Sequence, residues 1–148
     1  HGDWPAGTYL LNPEGFRHAP FSREGCLLFV KLRQFPGLDR EHHVIDTGTR
    51  EWQVTDHNGV WRKPLYGQPG YADIMHLERW EAGTTAETTH YEQGAEFFVL
   101  DGEFEDDEGV YPAGSWLRLP AGGSHTPGTS QGCELYVKLG GIPYLRSG

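Results

Sequence analysis

The sequence has little cysteine, no long apolar run and no excess of basic residues, and each of these absences excludes a class of protein. Only two of the 148 residues are cysteine, and they form no C-x-x-C motif. This argues against a disulfide-stapled scaffold and against a thioredoxin-type or zinc-knuckle site. No apolar run is longer than about five residues, whereas a membrane-spanning helix needs roughly 20. Twelve Lys and Arg stand against 21 Asp and Glu, giving a net charge of −9, so we expect neither a nucleic acid nor a membrane as partner.

Helical periodicity is nearly absent too, and short β-rich runs bounded by turn residues take its place. The chain contains 21 Gly and 10 Pro, and 13% of it is aromatic, which is typical of many short strands joined by tight turns. Asp101-Gly102 predicts a two-residue hairpin, and Glu105–Gly109 predicts an acidic loop. The predicted strands are Thr8–Leu11, Cys26–Arg33, Ala72–Trp80, Ala95–Leu100, Ser115–Leu119 and Cys133–Leu139.

The chain contains an internal repeat without gaps. His1–Leu32 aligns with Glu108–Leu139 at a constant offset, and 15 of the 32 positions are identical. Such a repeat indicates that one structural unit occurs twice. Only the second copy has a long stretch of sequence before it. We therefore expect the C-terminal half of a first domain over 1–35, a polar linker over 36–51 and a complete domain over 52–148.

Each copy of the repeat contains the pattern G-x5-P-x-G-x2-H. It ends at His18 in the first copy and at His125 in the second. Glycine opens a strand, proline ends it, a second glycine turns the chain, and the histidine enters the next strand. An imidazole that faces a protein interior is a natural metal ligand.

This spacing is similar to the second signature motif of the cupins. The continuation H-x-P, followed by G-C-x-x-[FY]-V-K-L, resembles ChrR-like cupins, a group similar to the zinc-binding domain of ChrR anti-sigma factors and to acetylacetone-cleaving dioxygenases. The resemblance implies an all-β fold, a cupin-type double-stranded β-helix or jelly-roll barrel, preceded by the C-terminal half of a second cupin. It also implies one divalent metal ion, Zn or Fe, if a cofactor is bound.

The first cupin motif, H-x-H-x3-E-x6-G, can be placed on this sequence in two ways. Anchored on Gly102, its ligand positions fall on Thr89, Tyr91 and Ala95, so that all three family ligands are missing. Anchored on His90, it gives an H-x-E-x3-E set and a hairpin one residue short. Strand parity decides between them, because a slip of one residue moves every side chain to the other face, unless a bulge absorbs it. The candidate metal ligands under the family pattern are His125, His90, Glu92, Glu96 and His18.

Three functions remain open, and the sequence assigns no catalytic residue. The chain could be a sensory or regulatory cupin module that binds a metal ion or a small molecule. It could instead be a metal-dependent dioxygenase for a small diketone-like substrate. It could also act in assembly, with the segment Gly2–Phe35 adding strands to a second copy in a homodimer. We expect a cytoplasmic protein. His76, in the stretch ADIMHLERW, could face the barrel, although a packed or surface position is favoured.

Overall fold

Strands dominate the computed structural model, which describes residues 2–32 and 39–142. One 3-10 turn, Thr47–Thr49, begins at Asp46, whose carboxylate accepts a hydrogen bond from the Gly48 N–H. No helix in the described ranges is long and apolar enough to cross a membrane. The all-β prediction is confirmed. In chain order the strands are β1 Thr8–Leu11, β2 His43–Asp46, β3 Gln53–Val54, β4 Val60–Gly67, β5 Ile74–Trp80, β6 Thr84–Thr85, β7 Thr89–Tyr91, β8 Ala95–Asp106, β9 Gly109–Pro112, β10 Trp116–Leu119, β11 Gly123–His125, β12 Gly128–Thr129 and β13 Cys133–Leu139.

The long strand β8 organises the curled antiparallel sheet. Its first half lies between β13 and β10, and the sheet continues from β13 through β5 and β4 to β3. Its second half lies between β9 and β12, and β12 continues to β6. The strands β7 and β11 form a separate antiparallel pair. Because β8 belongs to both parts, it curls the sheet into a barrel.

Two apolar clusters cover the two faces of the sheet formed by β4, β5, β13 and β8. Side chains alternate between the faces along each strand, so that Met75 and Leu77 lie on one face and Trp80 on the other. The outer cluster is closed by the β1–β2 pair, which contributes Leu11 and Ile45. The inner cluster lies on the inside of the barrel and comprises Val60, Trp80, Ala95, Phe97, Val99, Phe104, Cys133, Leu135 and Val137.

A bulge in β8 replaces the hairpin predicted at Asp101-Gly102, and that prediction is wrong. Leu135 pairs with Val99 while Glu134 pairs with Asp101, which leaves Leu100 as an extra residue in β8. Gly102 has φ +72°, and a Cβ there would lie 2.1 Å from the Gly132 carbonyl oxygen. The glycine therefore serves close backbone packing inside a continuous strand. The two-residue turn occurs instead at positions 107–108, within the predicted acidic loop.

The predicted strand Cys26–Arg33 is also wrong over 26–32, where the structure has no strand; Arg33 lies outside the described residues. Its counterpart in the second repeat copy, β13, pairs on both sides, with β5 and β8. Residues 26–32 have no such neighbours and instead contact the outer face of the barrel. There Phe29 stacks on Phe98, with 4.3 Å between ring centroids, and Lys31 forms an ion pair with Glu96.

Part of the stretch predicted as a polar linker forms a strand. Its residues His43–Asp46 are β2, which pairs with β1 in antiparallel register. The first copy of the repeat is thus joined to the stretch predicted as a linker through the backbone pairing of β1 with β2. The division into 1–35, 36–51 and 52–148 stays a prediction.

Alanine should reduce the free energy of unfolding by different amounts at Gly122 and Gly102. Both have a positive φ, but only at Gly102 does a backbone group lie where the Cβ would be. Gly122→Ala puts a Cβ into open space at φ +81°, so we expect a loss of about 1 kcal/mol from the backbone conformation alone. Gly102→Ala adds a collision with the Gly132 carbonyl group, for a total of about 3 kcal/mol. Urea unfolding followed by circular dichroism measures both. Equal losses would contradict the role assigned to the bulge.

Candidate functional site

His125 lies inside the barrel at the end of β11 and is only 4% exposed. Its ring packs against Phe97 and Phe104, with centroid distances of 5.1 and 5.8 Å. The pattern G-x5-P-x-G-x2-H therefore does what its spacing predicts in the second copy, since it brings the histidine into the interior.

Both ring nitrogens of His125 have partners within the protein. Nδ1 lies 3.1 Å from Oδ2 of Asp106, and Nε2 lies 3.2 Å from the Tyr91 hydroxyl oxygen. Burial raises the pKa of Asp106, but hydrogen bonds from the Glu108 N–H, His125 and Tyr111 outweigh it and lower that pKa overall. A carboxylate accepts only, so Nδ1 carries the proton toward Asp106. Burial raises the pKa of Tyr91, and its neutral hydroxyl can therefore donate to Nε2.

The other candidate ligands lie away from His125, and strand parity is the reason for two of them. In β7, Tyr91 faces the interior, so its neighbour His90 faces outward and is exposed. In β8, Glu96 lies between the inward-facing Ala95 and Phe97, and is therefore on the outer face. It is 1% exposed there, because Lys31 covers it. Glu92 is exposed in the turn after β7.

His18 is exposed in the first copy, with Phe16 as a ring neighbour at 5.8 Å. The structure thus brings none of His90, Glu92, Glu96 and His18 to His125. The placement anchored on Gly102 has the matching parity, since Tyr91 and Ala95 face inward and Thr89 borders the interior cavity. The three positions that carry ligands in the family pattern therefore hold a threonine, a tyrosine and an alanine.

The described interior does not fit the metal ion that the resemblance implies. Zinc and iron sites are built from several imidazole, thiolate or carboxylate groups. Within residues 2–32 and 39–142, no three His, Cys, Asp or Glu side chains are grouped so that they could hold a metal. His125 itself is engaged by Asp106 and Tyr91 through both nitrogens. We therefore derive no chemical step through a metal.

A cavity of about 420 Å³ lies inside the barrel. Tyr91, the hydrogen-bond partner of His125, is one of the residues that line it. Its size falls within the range of small-molecule sites. The walls are mainly apolar and aromatic, and the polar lining residues include Asp56, His57 and Thr89. The apolar lining residues are Val60, Trp80, Ala86, Phe97, Phe104, Pro127, Val137 and Leu139.

Glu78, on the inner face of β5, is the centre of the polar part of the cavity wall. Its Oε1 accepts hydrogen bonds from Arg62 Nη2 and His76 Nε2, each at 2.9 Å. Its Oε2 accepts from Trp80 Nε1, also at 2.9 Å. Burial acts to raise the pKa of Glu78, but the hydrogen bonds and the charge of His76 outweigh it and lower that pKa to about 2. Glu78 is thus a fixed anion that orients the donors around it.

Sequence reasoning missed Arg62 and Glu78, and it favoured a packed or surface place for His76. The structure buries His76 on the inner face, where it contacts Glu78. The signal was present in ADIMHLERW, because His76, Glu78 and Trp80 are spaced by two and share one face of a strand. The pattern did not show which face points inward, because Met75 and Leu77 on the other face are also buried.

The fold resembles several solved structures. A putative acetylacetone dioxygenase from Methylibium petroleiphilum PM1 has a TM-score of 0.62 at 15% identity, covering 76% of this chain and 81% of that chain. An RmlC-like cupin protein from Ralstonia eutropha JMP134 has a TM-score of 0.59 at 19% identity, covering 64% and 66%. Rhodobacter sphaeroides SigE in complex with the anti-sigma ChrR gives a TM-score of 0.55 at 21% identity, covering 63% and 53%.

These likenesses show a cupin-type fold. At such identities they show the fold alone, and this chain spans only about half of the matched chain in the SigE–ChrR complex. No curated protein matches the sequence. The sequence profile of the ChrR Cupin-like domain matches residues 1–36 and 40–143. The chain therefore belongs to the ChrR cupin-like family, as the repeat motif predicted.

The lowered pKa of Glu78 predicts an acid-labile contribution to stability. A carboxylate whose pKa is about 2 in the folded state and near 4.5 when unfolded stabilises the fold above pH 4.5. That contribution is lost as the pH falls toward 2. Glu78→Gln should therefore unfold with a shallower pH dependence between pH 5 and pH 3 than the wild type, in urea titrations at several pH values.

The matched control is Glu134→Gln, which removes a carboxylate from the exposed ion pair with Arg79. A surface pair contributes little, so this variant should keep the slope of the wild type. A slope for Glu78→Gln that equals the wild-type slope would show that Glu78 is not the stabilising anion.

Proposed function

We propose that this chain is a small-molecule-binding cupin module whose ligand occupies the barrel cavity without a metal ion. The observation that carries the proposal is the state of His125. Its two nitrogens are held by Asp106 and Tyr91 beside a cavity of about 420 Å³. Because Asp106 and Tyr91 already satisfy both nitrogens, His125 has no nitrogen left for a metal ion.

The cavity wall favours an organic ligand that contains a ring. Trp80, Phe97 and Phe104 form adjacent parts of it, with ring centroids 5.6 to 5.8 Å apart. Aromatic walls bind flat apolar surfaces through area burial and ring contacts. A cavity of about 150 Å³ can hold benzene, so the volume here is sufficient for a molecule with one or two rings.

We favour a sensory or regulatory role for this ligand binding. The SigE–ChrR complex is a structural neighbour in which an anti-sigma protein contacts a sigma factor, and this likeness supports a module that signals through a protein partner. A dioxygenase role for a diketone-like substrate would need an iron or zinc site. The described interior lacks the ligand groups for that site, so we propose no oxygenation step.

A cavity-filling variant tests the proposal. Acetophenone, α-methylstyrene and benzoate are flat single-ring probes, and at least one should raise the melting temperature of the wild type. At 100 times its Kd a ligand adds about 2.7 kcal/mol of stability. Ala86→Trp places an indole at the cavity lining and should abolish the shift. Ala121→Trp, at an exposed turn, should preserve it.

Metal analysis by plasma mass spectrometry, on protein purified without a His-tag column or chelator, completes this test. We expect no stoichiometric Zn or Fe. Either about one metal per chain that is lost in His125→Ala, or no effect of any probe, would overturn the proposal.

We also propose that the chain forms a homodimer through the segment Cys26–Leu32. The side chains of Leu28 and Val30 correspond in the repeat to Leu135 and Val137, which are 0% and 1% exposed inside the barrel. In the first copy they are largely exposed, together with Leu27 and Leu32. Several exposed apolar side chains within one short segment favour an interaction site. A second copy presents the same segment, which can meet it about a two-fold axis.

Sedimentation velocity at micromolar concentration tests the dimer. The wild type should sediment as a dimer, and Val30→Asp should shift it to a monomer because a charge enters the shared apolar surface. Val110→Asp is the control, since Val110 on β9 is exposed to a similar degree, 57% against 59% for Val30. A monomeric wild type, or equal effects of the two variants, would contradict the proposed interface.

A further inference from the structure

The first copy of the repeat turns its outer side toward the barrel. Phe29 corresponds in the repeat to Tyr136, whose ring lies on the outer face of the sheet. These two rings contact each other edge to face, with 5.7 Å between their centroids. On β1, Tyr9 stacks on the same Tyr136 ring at 6.3 Å. The first copy and the barrel therefore pack together outer side to outer side.

The opposite side of the first copy carries the side chains that line a barrel in the second copy. Four of its residues are identical in the two copies, namely Leu10 and Leu117, Leu28 and Leu135, Val30 and Val137, and Leu32 and Leu139. In the second copy all four belong to the inner cluster or pack against it. In the first copy their exposed fractions are 39%, 61%, 59% and 76%, in the same order. The first copy thus presents to solvent the face with which the second copy builds its core.

Strand β2 extends this exposed face. Val44 pairs with Leu10 of β1, just as Phe97 pairs with Leu117 in the second copy. Phe97 belongs to the inner cluster, whereas Val44 is 43% exposed. Its neighbour Ile45 points the other way and is buried in the outer cluster. Strand β2 therefore lies beside β1 as β8 lies beside β10, and Val44 adds a fifth apolar side chain to the face.

We propose that two copies of the chain close on each other through this open face, formed by Leu10, Leu28, Val30, Leu32 and Val44, and so build one shared apolar core. The inference rests on the proposed homodimer and extends its interface from the segment Cys26–Leu32 to β1 and β2. Each copy supplies one layer of the core, as the two sheets of a sandwich do. Because both copies present the same face, a two-fold axis relates them.

The size and the chemistry of the open face suit a second copy. The exposed parts of its five side chains amount to about 500 Å² per copy, so a dimer would bury about 1,000 Å², the size at which specific interfaces begin. All five side chains are aliphatic. Pairing the face with itself therefore brings no like charges together at its centre.

Substitutions on β1 and β2 test the inference, because these strands lie outside the segment Cys26–Leu32. Leu10→Asp and Val44→Asp should each raise the dissociation constant of the dimer about a hundredfold, since a charge enters the shared core. Sedimentation velocity over a concentration series measures that constant. Val54→Asp is the matched control, because Val54 on β3 is 83% exposed and is not part of the open face. It should keep the wild-type constant.

A measurement on the wild type keeps the test independent of whether the variants fold. Isotope-labelled and unlabelled chains are mixed in equal amounts, and nuclear Overhauser effects between labelled and unlabelled copies are recorded by NMR. The methyl groups of Leu10, Val30 and Val44 should show such intermolecular effects. The methyl groups of Leu135 and Val137 should show none, because they are buried inside their own barrel.

Two outcomes would overturn this inference and leave the proposed homodimer intact. One is a dimer that is lost in Val30→Asp but unchanged in folded Leu10→Asp and Val44→Asp. The other is a set of intermolecular effects confined to the segment Cys26–Leu32. A monomeric wild type would overturn the homodimer and this inference together.

Discussion

The geometry of the barrel depends on the single extra residue in β8. Before the bulge, Phe97 and Val99 face inward; after it, Phe104 does so, and Asp106 reaches His125. Without Leu100 as an unpaired residue, the alternation of side chains would turn the second half of β8 outward. The core and the support of His125 would then be lost together. The bulge thus lets one 12-residue strand serve both parts of the sheet with one continuous inner face.

Much of the fold follows from local sequence signals. The predictions for Thr8–Leu11 and Cys133–Leu139 match β1 and β13 residue for residue. The predicted hairpin at Asp101-Gly102 failed because the same dipeptide suits a two-residue turn and a bulge, and only the neighbouring strand decides between them. The strand predicted at Cys26–Arg33 failed over its described part for a related reason. Its composition favours a strand, but pairing requires neighbours that the sequence of the segment cannot specify.

Only part of the site could be predicted, because a motif fixes spacing and not direction. The pattern found His125, but the same pattern leaves His18 exposed in the first copy, where residues 12–32 form no strand, so the surrounding strands decide the direction. The set His90, Glu92 and Glu96 fitted the spacing with a hairpin one residue short, and strand parity separates it from Thr89, Tyr91 and Ala95. Arg62 and Glu78 carry no motif at all. They meet because β4 and β5 are paired in register, and such pairing between strands is not encoded in either stretch alone.

The protein groups around His125 compensate for the missing metal ligands. A buried imidazole needs partners for both nitrogens, since an unsatisfied polar group in the interior is costly. In a metal site the ion serves one nitrogen and a neighbouring acceptor serves the other. Here Tyr91, at a ligand position of the family pattern, replaces the ion, and Asp106 is the acceptor. Because this substitution satisfies the histidine without an ion, the ligand proposed for the barrel cavity needs no metal to hold His125 in place.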